Sequence, residues 1–203
     1  MISKPLLVFV RGLPGAGKSD LVDLLLKYPL LEKGLRLDPD RVDLTDPKFV
    51  KFVSGLPKGL SPKKQIYRFL LRQAETALSQ EQHVIWEQPW RLVWGLYITI
   101  ENLTYFLTGE TNITKAPFQT VIVEVLIDPI KARRRVARRF AEGRHNLDER
   151  VFEQFVGKLE DCSHLNLPVI RAAGDKVAET VKDIKDQIYQ LLGSEDINAC
   201  LSC

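Results

Sequence analysis

The chain has 203 residues, 45% of them apolar and 27% charged, and a formal net charge of +3. That is the length of one domain able to bury its own core, so neither a disulfide framework nor a structural metal is called for. The three cysteines suit a reducing compartment, the N-terminal apolar run is too short for a signal segment, and the stretch Leu92 to Leu107 is broken by Gly95, Glu101 and Asn102, so a cytoplasmic protein without a membrane span is expected.

Leu6–Val10 is an unbroken apolar run with β-branched and aromatic members, which predicts a buried parallel strand. A glycine-rich turn follows, then a helix from Lys18 to Tyr28, stopped by Pro29. Leu35–Leu37 predicts a second strand that delivers Asp38 and Asp40 at its end. Ser61-Pro62 carries the cap-and-proline signature of a helix start, and Ile66, Phe69, Leu70, Gln73 and Ala77 mark one face of a helix reaching about Gln80. His83–Trp86 predicts a third strand ending at Glu87. Pro89 to Leu107 then reads as a helix apolar nearly all round, with Trp86, Trp90 and Trp94, spaced by four, as core or helix-packing residues. Thr120–Ile127 is the clearest strand, and Asp128-Pro129 opens the helix that follows it.

That helix holds six basic residues and no acid between Lys131 and Arg139, whereas the rest of the chain sets 23 Lys+Arg against 26 Asp+Glu. A nucleic-acid coat would spread its charge; one cationic element fits a local anionic ligand. A polar loop, 141–148, leads to a helix with Val151, Phe152, Phe155 and Leu159 as its stripe. Pro168–Ile170 is a last strand and Lys176–Leu192 a closing amphipathic helix. Strands alternating with helices five times predict a three-layer α/β fold, a five-stranded parallel sheet covered on both faces. The expected organisation is a single domain over 1–193, with an arginine-bearing lid at about 131–148, an apolar helical insertion at about 89–118, and a flexible tail, 194–203.

Gly12-Leu13-Pro14-Gly15-Ala16-Gly17-Lys18-Ser19 fits G-x-x-x-x-G-K-[ST] between a predicted strand and a predicted helix, which is the context the P-loop mechanism needs. Its glycines let main-chain N–H groups converge on a polyphosphate at the helix N-terminus, with Asp20 next in line. Lys18 supplies charge to the β- and γ-phosphates, and the Ser19 hydroxyl is the magnesium ligand. Phosphoryl transfer further needs a base, a metal-organising carboxylate and cations on the moving group. Candidates stand at strand ends: Asp38-Pro-Asp40-Arg41 after strand two, Glu87-Gln-Pro-Trp-Arg91 after strand three, and Arg135, Arg138 and Arg139 after strand four. Each has a structural alternative. The aspartates could cap a turn, Glu87 could simply end a strand, Arg91 could lie along the surface, and the arginines could be a solvated helix face.

The strings LDPDR, VIWEQPWR and DPIKARRRVARR, taken in order with the phosphate loop, resemble the P-loop kinases of the zeta-toxin-like and chloramphenicol-phosphotransferase-like group, together with polynucleotide 5′-hydroxyl kinases. The resemblance implies Asp40 as general base with Asp38 beside it, and Arg135 and Arg139 gripping nucleotide and γ-phosphate. It implies Glu87 on the substrate or magnesium side and Arg91 as a substrate contact; Arg41 and Arg138 are further candidate substrate contacts, and Arg144, in the loop that follows, is a further lid and substrate-binding candidate. The cofactors implied are ATP and Mg²⁺. The expected partner is an acceptor hydroxyl on a small molecule, a nucleotide sugar or a polynucleotide end, with nucleic acid entering only as that end. A regulatory or toxin-like ATPase without a dedicated acceptor is the alternative. A GTP switch is disfavoured because no N-K-x-D base reader occurs. Oligomeric state is left open.

Overall fold

A computed structural model describes residues 4–143 and 152–192. Five strands, β1 (Leu6–Gly12), β2 (Leu35–Leu37), β3 (Val84–Glu87), β4 (Gln119–Leu126) and β5 (Val169–Ala173), form one parallel sheet in the order β2-β3-β1-β4-β5. Among the described residues the bounded α-helices are α1 (Lys18–Leu25), α2 (Pro47–Ser54), α3 (Pro62–Ser79), α4 (Val93–Thr108), α5 (Pro129–Ala141) and α6 (Val177–Leu192). β1 is the central strand, and all seven of its residues are buried.

Alternation along β1 sorts the core into two layers. Leu7 and Phe9 face α3 and α4 with Trp86, Trp90, Leu96 and Ile122, while Leu6, Val8 and Val10 face α1 and α6 with Leu21, Leu25, Ile184 and Ile188. Each large side chain buried here contributes about 1.5–3 kcal/mol. That holds the strand ends, and so the site built on them, in fixed register.

Several boundaries differ from the sequence reading. α4 begins at Val93, not Pro89, because Trp90 turns into the left-handed region (φ 44°) and places its ring against Phe9 and Trp86. α4 is also not buried all round: Trp94 is 67% exposed and stacks on Tyr97, and Tyr105 and Phe106 are exposed. Trp86 and Trp90 are core residues as expected, whereas Trp94 lies on the exposed side of α4 against Tyr97. On α3 the buried stripe is Leu70, Leu71, Ala74, Ala77 and Leu78, while Phe69 packs sideways on Phe49 and Phe52 of α2. α2 itself went unpredicted, although Asp46-Pro47 carries its start signal: the Asp46 carboxylate accepts from Lys48 N. Phe152 is buried against Ala132 and Val136. Val151, Arg144 and the 194–203 tail lie outside the described residues. No helix among the described residues is long and apolar enough to cross a membrane.

One polar contact locks the start of β1. The Leu6 amide donates to His83 Nδ1 at 2.9 Å, which requires the neutral ring with its proton on Nε2. Burial lowers the His83 pKa below its ordinary 6.5. A depressed folded-state pKa means that this contribution is complete above pH 6.5 and is lost as pH falls through the folded value. Urea midpoints should therefore drop between pH 7.5 and pH 5. The drop should be smaller in His83→Asn, whose amide oxygen keeps an acceptor that does not titrate; equal drops would remove His83 from the account.

Candidate active site

The segment Gly12–Ser19 leaves the end of β1 and winds into α1. Gly12 (φ 144°) passes so close to β4 that a Cβ would lie 2.4 Å from the Val125 carbonyl oxygen. Gly174, at the end of β5, approaches the loop from behind, where a Cβ would lie 2.1 Å from the Ala16 oxygen. The loop is thus clamped between two strand ends, with Gly15 and Gly17 in left-handed conformation. Gly17 caps α1 without a side-chain bond, and Leu21 N is the first helical amide to bond back, to Gly17 O. The amides of Lys18, Ser19 and Asp20 are left without helical partners, and they form the nest that an anion fills.

Lys18 folds over this loop, its Nζ donating to Leu13 O at 2.9 Å and to Gly12 O at 3.1 Å. Desolvation lowers its pKa to about 8, against the opposing pull of Glu87, Asp40 and Asp38; Arg139 lowers it further. Three carboxylates and a second cation therefore converge on one ammonium.

Glu87 is 2% exposed at the end of β3, the strand beside β1. Burial raises its pKa, as does the charge on Asp38, while Arg36 and the Ser19 hydroxyl favour the ionised form. Arg36 Nε donates to Glu87 Oε1 at 2.6 Å, and the same guanidinium pairs with Asp23 of α1. Glu87 Oε2 is buried without a hydrogen-bond partner. A buried carboxylate oxygen beside a serine hydroxyl at a phosphate loop is a donor set of the hard, oxygen kind that Mg²⁺ takes, usually through its water shell. The residues fit the ion.

The two aspartates after β2 divide their tasks. Asp38 accepts from Asp40 N at 2.9 Å, and its other oxygen lies 3.4 Å from Arg41 Nε, so it organises the 3-10 turn Pro39–Arg41. Asp40 is exposed, and no described side chain donates a hydrogen bond to it. Arg41 is exposed beside them.

On α5 the arginines diverge. Arg135 Nη1 donates to Gly174 O at 2.9 Å and Gly15 O at 3.3 Å, bracing the loop from outside. Arg139, one turn on, lies 3.9 Å from Asp20 and near enough to Lys18 to oppose its charge. Arg138 points away, exposed and 4.0 Å from Glu142. Arg91 turns toward the chain after residue 152, donating to Gln154 O at 3.3 Å. The structure thus gathers Lys18, Ser19, Asp38, Asp40, Glu87, Arg135 and Arg139 at one rim, and leaves Arg138 outside it. Sequence reasoning missed Arg36, Asp23 and Gly174. An arginine inside a short apolar strand was the available signal for the first.

Comparison with known proteins decides the family. Residues 7–162 match the family described as AAA domain (AAA_33). The chain belongs to that family. The fold is that of P-loop kinase-like proteins. Kti12 of Chaetomium thermophilum, solved with ADP-AlF3, superposes with a TM-score of 0.64 at 16% identity, over 93% of this chain and 100% of that one. A protein of Chloroflexus aurantiacus j-10-fl assigned as a kinase gives 0.63 at 20% identity, over 94% and 99%. A gluconokinase of Sinorhizobium meliloti 1021 gives 0.56 at 15% identity, over 97% and 98%. Among curated protein sequences none matches. At such identities the shared property is the fold.

Proposed function

We propose that this AAA-domain chain is an ATP- and Mg²⁺-dependent phosphotransferase that moves the γ-phosphate to a hydroxyl of a small molecule, a nucleotide sugar or a polynucleotide end. One observation carries the reading: the exposed carboxylate of Asp40 lies near enough to Lys18, with Glu87 and Arg139, to act on its charge. A bare ATPase needs the nest; an acceptor hydroxyl needs the additional base.

The residues divide as follows. The amides from Gly15 to Asp20 hold the phosphates, and Lys18 leaves the Gly12 and Leu13 carbonyls to reach them. Ser19 and Glu87 would hold the metal, which when bound neutralises charge on the β- and γ-phosphates. Asp40 takes the proton from the acceptor hydroxyl as it attacks. Asp38 and Arg41 fix the turn that aims Asp40. Arg139 meets the negative charge of the transferring group, and Arg135 keeps the loop in shape. Catalysis of this type is positioning and charge neutralisation, with no covalent step on the protein.

Replacing Asp40 with Asn should lower labelled-phosphate transfer from ATP to the acceptor by about 10²–10⁴-fold while leaving ATP affinity within about threefold. A panel of sugars, nucleosides, nucleotide sugars and 5′-hydroxyl oligonucleotides identifies the acceptor. Label appearing only as free phosphate across that panel would favour the acceptor-free ATPase.

Nucleotide binding should also be linked to protons. With Lys18 titrating at about 8 in the free chain, phosphate contact raises its pKa. Binding below that pH then takes up no proton at Lys18, whereas above it binding takes up as much as one. Affinity should fall by up to about tenfold per pH unit above 8, a range in which phosphate groups no longer titrate. Calorimetry at pH 9 in buffers of different ionisation enthalpy reads this directly, and no proton uptake would contradict it.

A further inference from the structure

α4 carries apolar residues on nearly every side, yet only one side of it is covered. Val93, Leu96, Ile100 and Leu103 pack into the core with Phe9 and Trp86. The opposite side is open: Trp94 is 67% exposed, Tyr105 51% and Phe106 49%, and Leu92, just ahead of the helix, 46%. Trp94, Ile98, Glu101 and Tyr105 recur at i, i+4, i+7 and i+11, so they follow one line of the helix about 16 Å long. A helix apolar all round is enclosed by protein or by lipid. No described helix is long and apolar enough to cross a membrane, which points to protein.

The area fits a second copy of this chain. An aromatic side chain presents roughly 150–250 Å², so the exposed parts of Leu92, Trp94, Tyr105 and Phe106 leave about 400 Å² of apolar surface open. A homodimer interface of standard size covers about 800 Å² on each copy, of which about 65% is apolar. One helix face thus supplies most of the apolar area that a stable dimer needs. The layout fits as well. The rings form two groups, Trp94 stacked on Tyr97 with centroids 5.7 Å apart, and Tyr105 beside Phe106 at 6.1 Å. Ile98, Glu101 and Asn102 lie between the groups. A two-fold interface matches residue i to residue j and j to i. An antiparallel second copy of α4 therefore sets each Trp94 group on the partner's Tyr105 group, and both junctions are aromatic. Nucleic acid or an anionic membrane would call for cations among the rings, and Val93–Thr108 contains no Lys or Arg.

We propose that the exposed face of α4 is a homodimer interface, in which two copies pack antiparallel about a two-fold axis near the middle of the helix, Trp94 of each against Tyr105 of the other. The assignment stands independently of the phosphotransferase reading. It gives the apolar stretch after Glu87 a task that the chemistry of the phosphate loop does not.

Sedimentation equilibrium of the full chain between about 1 and 200 µM tests this, and the unaltered chain should pass from monomer to dimer within that range. Trp94→Lys and Tyr105→Glu should each weaken association by about 30-fold or more, the scale of aromatic residues that anchor an interface. Ile130→Glu, at an exposed apolar residue of α5, should leave association unchanged. Both α4 positions are exposed in the single chain, so far-UV circular dichroism of the dilute variants should match that of the unaltered chain. Trp94→Ala and Tyr105→Ala stand in, with weakening in the same direction, where a charged variant does not fold. An equimolar mixture of Trp94→Lys and Tyr105→Glu should recover association, because each mixed dimer keeps one aromatic junction and gains one ion pair. A chain that stays monomeric to about 200 µM overturns the proposal, as does a dimer that neither substitution weakens by more than about threefold. Weakening without recovery on mixing overturns the antiparallel pairing.

Discussion

Lys18→Ala should abolish turnover and weaken ADP binding by at least about 100-fold while the chain keeps its fold. The reason lies in where the ammonium sits. It is desolvated enough to titrate at about 8, and its hydrogen bonds go to two loop carbonyls, which no cation of this kind is needed to satisfy. Its environment is therefore poor for a charge until a polyphosphate arrives, so most of what the substitution removes is binding. Unfolding midpoints of the free variant should stay close to those of the unsubstituted chain, and the rise in melting temperature on adding ADP should vanish. Full ATP-dependent activity in this variant would overturn the nucleotide reading altogether.

The second large effect separates neighbours on one helix. Arg139→Ala should lower kcat by about 10³-fold, the scale on which arginines that stabilise a transferring phosphoryl group act. Arg138→Ala should change it less than about threefold, within the range of a surface ion pair. The difference follows from α5: Arg139 faces Asp20 and Lys18, whereas Arg138 is turned out toward Glu142. Because Arg139 and Lys18 repel each other until an anion lies between them, its loss should show in kcat more than in ADP affinity. Equal effects of the two substitutions would return the basic helix to the status of a solvated face.

Much of this was legible in the sequence because the signals were local. The apolar run Leu6–Val10 followed by Gly12–Ser19 states both a buried strand and an anion nest within fourteen residues, and Asp128-Pro129 announces the start of α5. What escaped depended on contacts across the fold. Arg36 reads as a surface residue of a three-residue strand until β3 brings Glu87 beside it. Gly174 reads as a turn until the end of β5 is seen pressed against Ala16. The start of α4 was misplaced because Trp90 has a good helical pattern around it, and only packing against Phe9 and Trp86 holds it at positive φ. The arginine run showed that cations were concentrated, but not which would face the loop. That depends on the rotation of α5, whose Ala132 and Val136 pack against Leu13, Ile127 and Phe152.

A crystal structure with a non-hydrolysable ATP analogue and Mg²⁺ should show the polyphosphate within hydrogen-bond distance of the amides from Gly15 to Ser19, with Lys18 Nζ released from Gly12 and Leu13 and turned onto the β- and γ-phosphates. Nucleotide bound elsewhere, or Lys18 still resting on those two carbonyls with the loop empty at saturating analogue, would contradict it.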